Sequence, residues 1–486
     1  MKQLRKFLDS ITMYRVVLYA LIFLAGSTLA LSALDVLKYS SLEALSGSLI
    51  VLLTVCFFAN LLLGKLYKIT VNHESSLITA LILFFVLALP NNSYEWVGIA
   101  YAGLVAMASK YVVTWRSSHI FNPAAFAVLL VSLVGIGNGS WWIANQALFI
   151  PMLIVGFLLL TKLRRFELFF AFFVPALLLI IINTINGSTL VDTAWNAVTL
   201  YPLLFLGAVM LTEPSTMPVT RHMRLIFGAI VGLLFASTFD FDFIASSPHL
   251  ALLMGNVFAV LVTLRVSTKL KLIDKKQLTP TTYSFVFAPV RPIKRIAGQF
   301  MEFTLPDVKL DSRGNRRTFT IASAPSDKLI KIGVKFNDPS SKFKEKLITL
   351  KVGDEIIGNH ISGDFILPKN KSTPIVFVAG GIGITPFISM IGEMLEKKEK
   401  YTTDLYYFVS ERSEVAYTDI LKSAQKVGIN VNLRVGRDSN LTDEDIKKHT
   451  KAHFYLSGPP GLVNFYKLKL KKAGVKNIHI DYFTGY

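Results

Sequence analysis

The sequence predicts a polytopic α-helical membrane domain followed by two soluble domains, an antiparallel β-barrel and an α/β fold. Three observations carry that reading. The 486 residues are 52% hydrophobic and 17% charged, with mean hydropathy +0.50, more apolar than a soluble chain of this length. The apolar residues are concentrated between Ile11 and about Val266, in runs long enough to cross roughly 30 Å of hydrocarbon. After Lys269 the pattern turns to short alternating segments broken by charge, the habit of a soluble domain.

Ten apolar runs are readable, near 11–33, 45–64, 75–90, 96–113, 121–136, 141–161, 166–184, 197–212, 222–238 and 248–266. Basic residues gather in alternate connections. Lys2, Arg5 and Lys6 precede the first run, Lys65 and Lys68 follow the second, and Lys110 and Arg116 follow the body of the fourth. Lys162, Arg164 and Arg165 follow the sixth, and Arg221 and Arg224 accompany the turn after the eighth. The opposite connections NNSYEW, GNGS and TFDFDF carry no Lys or Arg. By the positive-inside rule both termini and the soluble domains are cytoplasmic, and the bilayer is the chain's first partner. This topology accounts for much of the net charge of +19 and calls for no nucleic acid. The first run shows no small-residue cleavage pattern, so it reads as a retained span rather than a signal peptide. The single cysteine, Cys56, falls inside the second run, which leaves no intrachain disulfide, cysteine-ligated iron–sulfur cluster or structural zinc site to expect. No metal site is predicted.

The domain boundaries are read at 1–267, 268–370 and 371–486. Residues 270–370 form short strands separated by turns, including TYSFVFAP, RTFTIASAP and IKIGVKF, the spacing of a small closed antiparallel barrel. From Thr373 the pattern becomes strand, glycine loop and helix in PIVFVAGGIGITPFISMIGEML. Gly380, Gly381 and Gly383 let the backbone approach a pyrophosphate, and a helix opening at Thr385 and Pro386 favours its negative charge.

The stretch 268–486 resembles the ferredoxin–NADP reductase family, with four motifs in order. RTFTIAS is similar to the family's flavin motif. By that resemblance Arg317 binds the FAD pyrophosphate, Thr318 lies beside it, Phe319 packs on the flavin and the Thr320 hydroxyl reaches flavin N5. SGDF resembles the FAD phosphate loop, giving Gly363, Asp364 and Phe365; the usual Gly-Pro shortly before it is replaced by His360-Ile361. GGIGITP resembles the nicotinamide-nucleotide loop. YLSGPPGLV resembles the motif that brings nicotinamide to the flavin, implying roles for Ser457, Gly458 and Pro459. Ser457 stands where many members carry Cys, so hydride transfer is expected to be slower but retained. DYFTGY resembles the terminal aromatic region, with Phe483 or Tyr486 covering the flavin face. Thr320 and Ser457 are thus the catalytic candidates. Ser410 and Arg412 lie where a 2′-phosphate would bind, whereas Glu411 suits a free ribose 2′-hydroxyl; NADH and NADPH both stay open, with a lean to NADH.

A reductase joined to apolar helices must pass its electrons on. Paired axial histidines for haem are not apparent, because His73, His119, His222 and His249 sit at run ends with no shared helical spacing. Repetition is more informative. SSHIFNPAAFAVLLVSL (117–133) recurs weakly as SSPHLALLMGNVFAVLVTL (246–264), and LALPNNS echoes LTEPSTM, which suggests a five-plus-five inverted repeat with its working site between the copies. Asn122 can cap a helix and Pro123 begin it, leaving N–H groups for a ligand. Glu213 and Thr216 lie on the same side by this topology.

HIFNPAAF followed by LTEPSTMPV resembles the D subunit of Rnf electron-transport complexes and the B subunit of the sodium-translocating NADH:quinone reductase. Those subunits are bacterial plasma-membrane flavoproteins. The family's Ser-Gly-Ala-Thr-like motif for covalent FMN is not found, although NGSTLVDTAW offers Thr189 and Thr193. The resemblance therefore implies a non-covalent second flavin, FMN or riboflavin, near Asn122, Glu213 and Thr216. The expected function is transfer of electrons from NAD(P)H through FAD to that membrane flavin, then to a quinone or an extracytoplasmic acceptor such as a flavinylated protein. The alternatives are a redox-driven ion or solute transporter subunit, or an inner-face quinone or haem-type ferric reductase.

Overall fold

The computed structural model describes the chain except residues 1–6, 9–10, 38–40, 69–70, 116–117, 186, 188, 239, 242–243, 264–266, 306–314, 369, 371, 400, 437–439 and 483–486. It divides into two compact units, Met1–Leu264 and Arg265–Tyr486.

The first unit is helical. Its elements are α1 (Met13–Ala33), α2 (Leu42–Leu66), α3 (His73–Val86), α4 (Ser93–Val112), α5 (Pro123–Val134), α6 (Phe149–Leu163), α7 (Phe166–Thr184), α8 (Leu190–Leu200), α9 (Leu203–Met210), α10 (Arg221–Ala236) and α11 (Pro248–Val262). Each of the ten apolar runs contains a helix, but fewer than ten are long and apolar enough to cross a membrane. Among the described residues four are, the segments Met13–Ala33, Leu42–Leu66, Gln146–Leu163 and Phe166–Thr184. A fifth appears if α8 and α9, bent by 56°, are one broken span. The helices α3, α5 and α11 are apolar but shorter.

The shortening has local causes. Helix α3 stops where Leu87 turns to extended backbone, shortly before Pro90, which disfavours helical geometry in the residue preceding it. Its loose end is tied by the loop Asn138–Trp141: Ala88 N donates to Asn138 O, and Ser140 N and Trp141 N donate to Val86 O. Irregular backbone in an apolar unit needs such partners. Helix α5 is capped by Asn122, whose side chain accepts from Ala125 N, opens with Pro123, and ends at Gly135 with φ 74°. Helix α11 repeats the arrangement with Ser247 and Pro248.

The second unit has two parts. Strands β1 (Ser267–Thr279), β2 (Thr282–Pro289), β3 (Phe300–Thr304), β4 (Arg316–Thr320), β5 (Ile330–Lys335) and β6 (Glu355–Ser362) form an antiparallel sheet in the order β4-β3-β6-β1-β2-β5. The sequence reading expects a closed barrel; the described residues form a six-stranded sheet whose two edges meet at one isolated bridge, Ile321 to Ile332, and not along a full strand pairing. Phe285, Phe287, Met301, Phe303 and Ile356 fill its core. Helix α12 (Lys342–Thr349), capped by Ser341, adds Phe343 and Leu347 to that core.

Strand β6 carries a bulge at His360, where the pairing with β3 shifts register and φ is 41°. A non-glycine residue in this left-handed region costs roughly 1–2 kcal/mol. His360→Gly is therefore expected to stabilise the fold by roughly 0.5–1 kcal/mol, after allowing for the added freedom of the unfolded chain. A higher urea midpoint at unchanged slope would show this. A lower midpoint would mean that the imidazole contributes more than its backbone costs.

The rest is a parallel sheet of β7 (Ile375–Gly380), β8 (Thr403–Val409), β9 (Ile429–Val435), β10 (His453–Gly458) and β11 (Ile478–Tyr482), ordered β9-β8-β7-β10-β11. Every residue of β7 is buried, as a central strand covered on both faces requires. Helices α13 (Thr385–Lys397), α14 (Thr418–Ala424), α15 (Asp443–Lys447) and α16 (Pro460–Lys472) complete it. The winding reverses between β7 and β10, and open α/β sheets bind ligands in the crevice beyond the strand ends at such a point.

Candidate functional site

Two strand ends build the crevice. Ala379 of β7 is in register with Ser457 of β10, so Gly380 and Gly458 leave the sheet side by side. Gly381 has φ 54°, a conformation that L side chains rarely adopt. Gly383 is required for a different reason: a Cβ there would lie 2.5 Å from Ser457 O and 2.6 Å from Gly458 Cα. The sequence reading opened the helix at Thr385. In the structure a 3-10 turn, Gly381–Ile384, precedes it, so the uncommitted N–H groups come from the glycine turn.

Beside this turn lies a cleft of about 660 Å³. From the predicted set it gathers Arg317, Thr318 and Phe319 of β4, Gly380 and Gly381 after β7, Ser410 after β8 and Pro459 after β10. Thr320, Ser457, Thr385 and Pro386 are buried just behind that lining. The Ser457 hydroxyl is fully buried and has no hydrogen-bond partner among the described residues. Arg317 is buried, donates from Nη1 to Arg316 O at 2.7 Å, and stacks its guanidinium 5.3 Å from the Phe343 ring centre. Phe319 sits between Phe303 and Phe343, at ring distances of 5.8 and 5.9 Å, with one edge on the cleft.

Other predicted residues lie elsewhere. Gly363, Asp364 and Phe365 are not in the cleft lining, and Phe365 packs against Phe387 and Tyr455 at 5.6 and 5.2 Å beneath the parallel sheet. Arg412 begins a short, exposed 3-10 turn off the lining. Tyr486 and Phe483 are outside the described residues.

The structure also brings in residues that the sequence reading missed. Lys335, Asn337, Lys344 and Glu414 line the cleft. Asp481 of β11 is in register with Ser457, and burial pushes its carboxyl up to about 6. The alternation of IHIDY could have marked Asp481 as facing the same side as His479. Because the folded state holds this proton more tightly than the unfolded chain, Asp481 stabilises fully below pH 4, and that contribution is lost as pH rises to about 6. Asp481→Asn should thus raise stability at pH 8 by about 1–3 kcal/mol, seen as a higher thermal midpoint, and barely change it at about pH 3.5. An equal effect at both pH values would contradict the buried carboxyl.

In the helical unit Asn122, Glu213 and Thr216 do come together. Asn122 Nδ2 donates to Glu213 Oε2 at 2.9 Å, and Thr216 Oγ1 donates to the same oxygen at 3.2 Å. His119 Nε2 lies 3.0 Å from Glu213 Oε1. Asn256 of α11 accepts from Asn122 N at 2.8 Å and donates to Thr216 O at 3.1 Å. His119 was considered only as a haem ligand, and Asn256 not at all, although an Asn inside LLMGNVF is a signal. Thr189 caps α8, and Thr193 bonds back to Thr189 O. Among the described residues no three His, Cys, Asp or Glu side chains converge as metal ligands.

The family model of the oxidoreductase NAD-binding domain matches residues 377–467, which run from within β7 into α16. The chain is 26% identical over 220 residues to oxidoreductase NAD-binding domain-containing protein 1 of Pongo abelii, covering 38% of this chain and 68% of that protein. It is 25% identical over 237 residues to flavohemoprotein A of Dictyostelium discoideum, covering 43% of this chain and 58% of that protein. The FAD/NAD-binding domain of nitric oxide dioxygenase from Vibrio cholerae superposes at TM-score 0.40 with 19% identity, over 44% of this chain and 98% of that domain. The matched NAD-binding domain and the two curated relatives support an NAD(P)H-dependent flavin oxidoreductase.

Proposed function

We propose that the chain is a single-polypeptide electron conduit of a bacterial plasma membrane. Electrons pass from cytoplasmic NAD(P)H through FAD to a second flavin in the helical unit, and on to a quinone or an extracytoplasmic acceptor. Bound FAD supplies the exchange between a two-electron nicotinamide and one-electron carriers. The residues present fit it: the buried Arg317 and an edge of Phe319 lie together on one wall of the cleft.

In this reading Arg317 and Thr318 hold the diphosphate, with Gly363, Asp364 and Phe365 as a second phosphate loop. Phe319 flanks the flavin ring, Tyr486 covers its other face, and Thr320 and Ser457 orient the reacting edge. Gly380, Gly381, Gly383, Thr385, Pro386, Ser410, Arg412, Gly458 and Pro459 hold the nicotinamide nucleotide. The carrying observation for the helical unit is that the buried Asn122, Thr216 and Asn256 and the half-buried Glu213 and His119 form one connected polar group. Hydrogen bonds now made among them suit the carbonyl and N–H edge of a non-covalent FMN or riboflavin. An electron crossing outward would couple to the membrane potential at about 2.3 kcal/mol per 100 mV.

Acid extraction of the purified full chain tests this. Two flavins per chain, with NADH bleaching both, is the expected result. One flavin, FAD alone, would reduce the protein to an inner-face reductase. A strong Soret band would replace the second flavin with haem.

A further inference from the structure

We propose that Glu414 is a latch across the nucleotide cleft, holding Lys335 until an incoming dinucleotide displaces it. The inference rests on the reading of this cleft as the NAD(P)H site.

The two walls of the cleft come from different parts of the second unit. One is the antiparallel sheet, which contributes Arg317 to Phe319 and Gly333 to Lys335. The other is the parallel sheet, which contributes Gly380 to Ile382, Phe408 to Ser410 and Glu414. Glu414 ends the short turn after β8 and reaches over to the first wall. It accepts from Lys335 Nζ at 2.9 Å, and from Thr281 Oγ1 at 2.8 and 3.0 Å. The side chains are 15% exposed for Glu414 and 32% for Lys335, so the pair is less screened than a surface ion pair.

Glu414 is not the sole tie between the two sheets. Ser389 Oγ donates to Ser323 O at 2.8 Å, and Phe365 fills the interface beside Phe387 and Tyr455. Those contacts can act as a fixed hinge while the Glu414 contact opens and closes.

Burial alone would raise the Glu414 carboxyl, but the bonds from Lys335 and Thr281 more than offset it and hold it below the usual range. It is therefore an anion at neutral pH, set in the wall of a cleft that has to receive a polyphosphate. The same carboxylate that ties the walls together repels the ligand and neutralises a cation that would attract it. A dinucleotide relieves both effects by taking over Lys335, which frees the walls to adjust around it. Lys344, which also lines the cleft and donates to Lys335 O, remains on the same wall.

The test is the sign of an effect. Calorimetric titration of the detergent-solubilised full chain with NAD⁺ should show Glu414→Gln binding roughly 5–10 times more tightly than wild type, because removing one unit of like charge at short range is worth about one factor of ten. Lys335→Gln should bind more weakly, and the double variant should recover part of that loss. Thr281→Val, which keeps the charge and removes the one hydroxyl donation shared by the two carboxylate oxygens, should tighten binding by roughly twofold. If Glu414→Gln binds as wild type does or more weakly, with its flavin content intact, the contact only shapes the cleft and the latch is wrong. If wild type itself binds neither NAD⁺ nor NADP⁺, the reading of the cleft fails and the latch goes with it.

Discussion

Gly383→Ala should lower kcat/KM for NADH-driven flavin reduction by 100-fold or more while leaving the FAD content near wild type. The added methyl would sit 2.5 Å from Ser457 O and 2.6 Å from both Ser457 C and Gly458 Cα. These are backbone atoms of β10, so no side-chain rotation relieves the overlap. The glycine turn and the end of β10 must separate, by about 1 Å to restore ordinary contact. A displacement of that size at a positioning element costs about 10²-fold in rate. The flavin-side residues Arg317 to Thr320 are on the other sheet and keep their own support from Phe303 and Phe343. Gly381 provides the contrast. A Cβ there meets nothing within 4 Å, but φ is 54°. Gly381→Ala should therefore lose only about 1 kcal/mol, and Gly381→Asn less still, because Asn accepts the left-handed region more readily. Stopped-flow bleaching of the flavin by NADH separates the two cases. Equal losses at both positions would show that conformational strain matters more than the close approach to β10.

The legible parts of this site are the ones written in adjacent residues. GGIGITP after an all-apolar run encodes a strand, a tight turn and a helix start within twelve residues, and the structure has that order. FNP encodes a capped helix start, and Asn122 accepts from Ala125 N. Where the reading fell short, the missing information was long-range. Glu414 and Lys335 are 79 residues apart, and Asn122 and Asn256 are 134 apart. No local pattern announces either pair. Phe365 shows the same limit from the other side. Its place after a Gly-Asp turn suggested a ligand contact, yet nothing local told which face it would take, and it fills the interface between the sheets. In the helical unit, hydropathy counted ten runs because it is blind to backbone geometry. The extended stretch from Leu87 to Pro90 and the bend between α8 and α9 are apolar, so they look like uninterrupted spans. The polar residues at helix ends such as Asn122, not the apolar average, carry the information.

Glu213 is where that information is most concentrated, and Glu213→Ala is expected to have the second large effect. Its carboxylate joins two stretches of chain, the segment of His119 and Asn122 and its own turn at Thr216. Asn122 has a second attachment, to Asn256 of α11, and also caps α5. Removing the carboxylate takes away the side-chain acceptor of the buried Asn122 amide. An unsatisfied group there costs about 1–3 kcal/mol, so a lower thermal midpoint of the helical unit is expected. Glu213→Gln distinguishes charge from shape. It keeps the volume and one acceptor oxygen, but sets an amide N–H₂ against a donor that the carboxylate now satisfies. If the cluster holds the second flavin, Glu213→Ala should retain one flavin per chain in place of two, and that remaining FAD should still be bleached by NADH at the wild-type rate. Transfer to an acceptor trapped inside proteoliposomes should fall by at least tenfold. The combination is diagnostic: a merely destabilised protein would lose both flavins together, and a cluster with no cofactor would lose neither. Two flavins with undiminished transfer would put the second flavin away from this cluster, because the polar group in the helical unit would then only tie α5, α11 and the turn after α9 together.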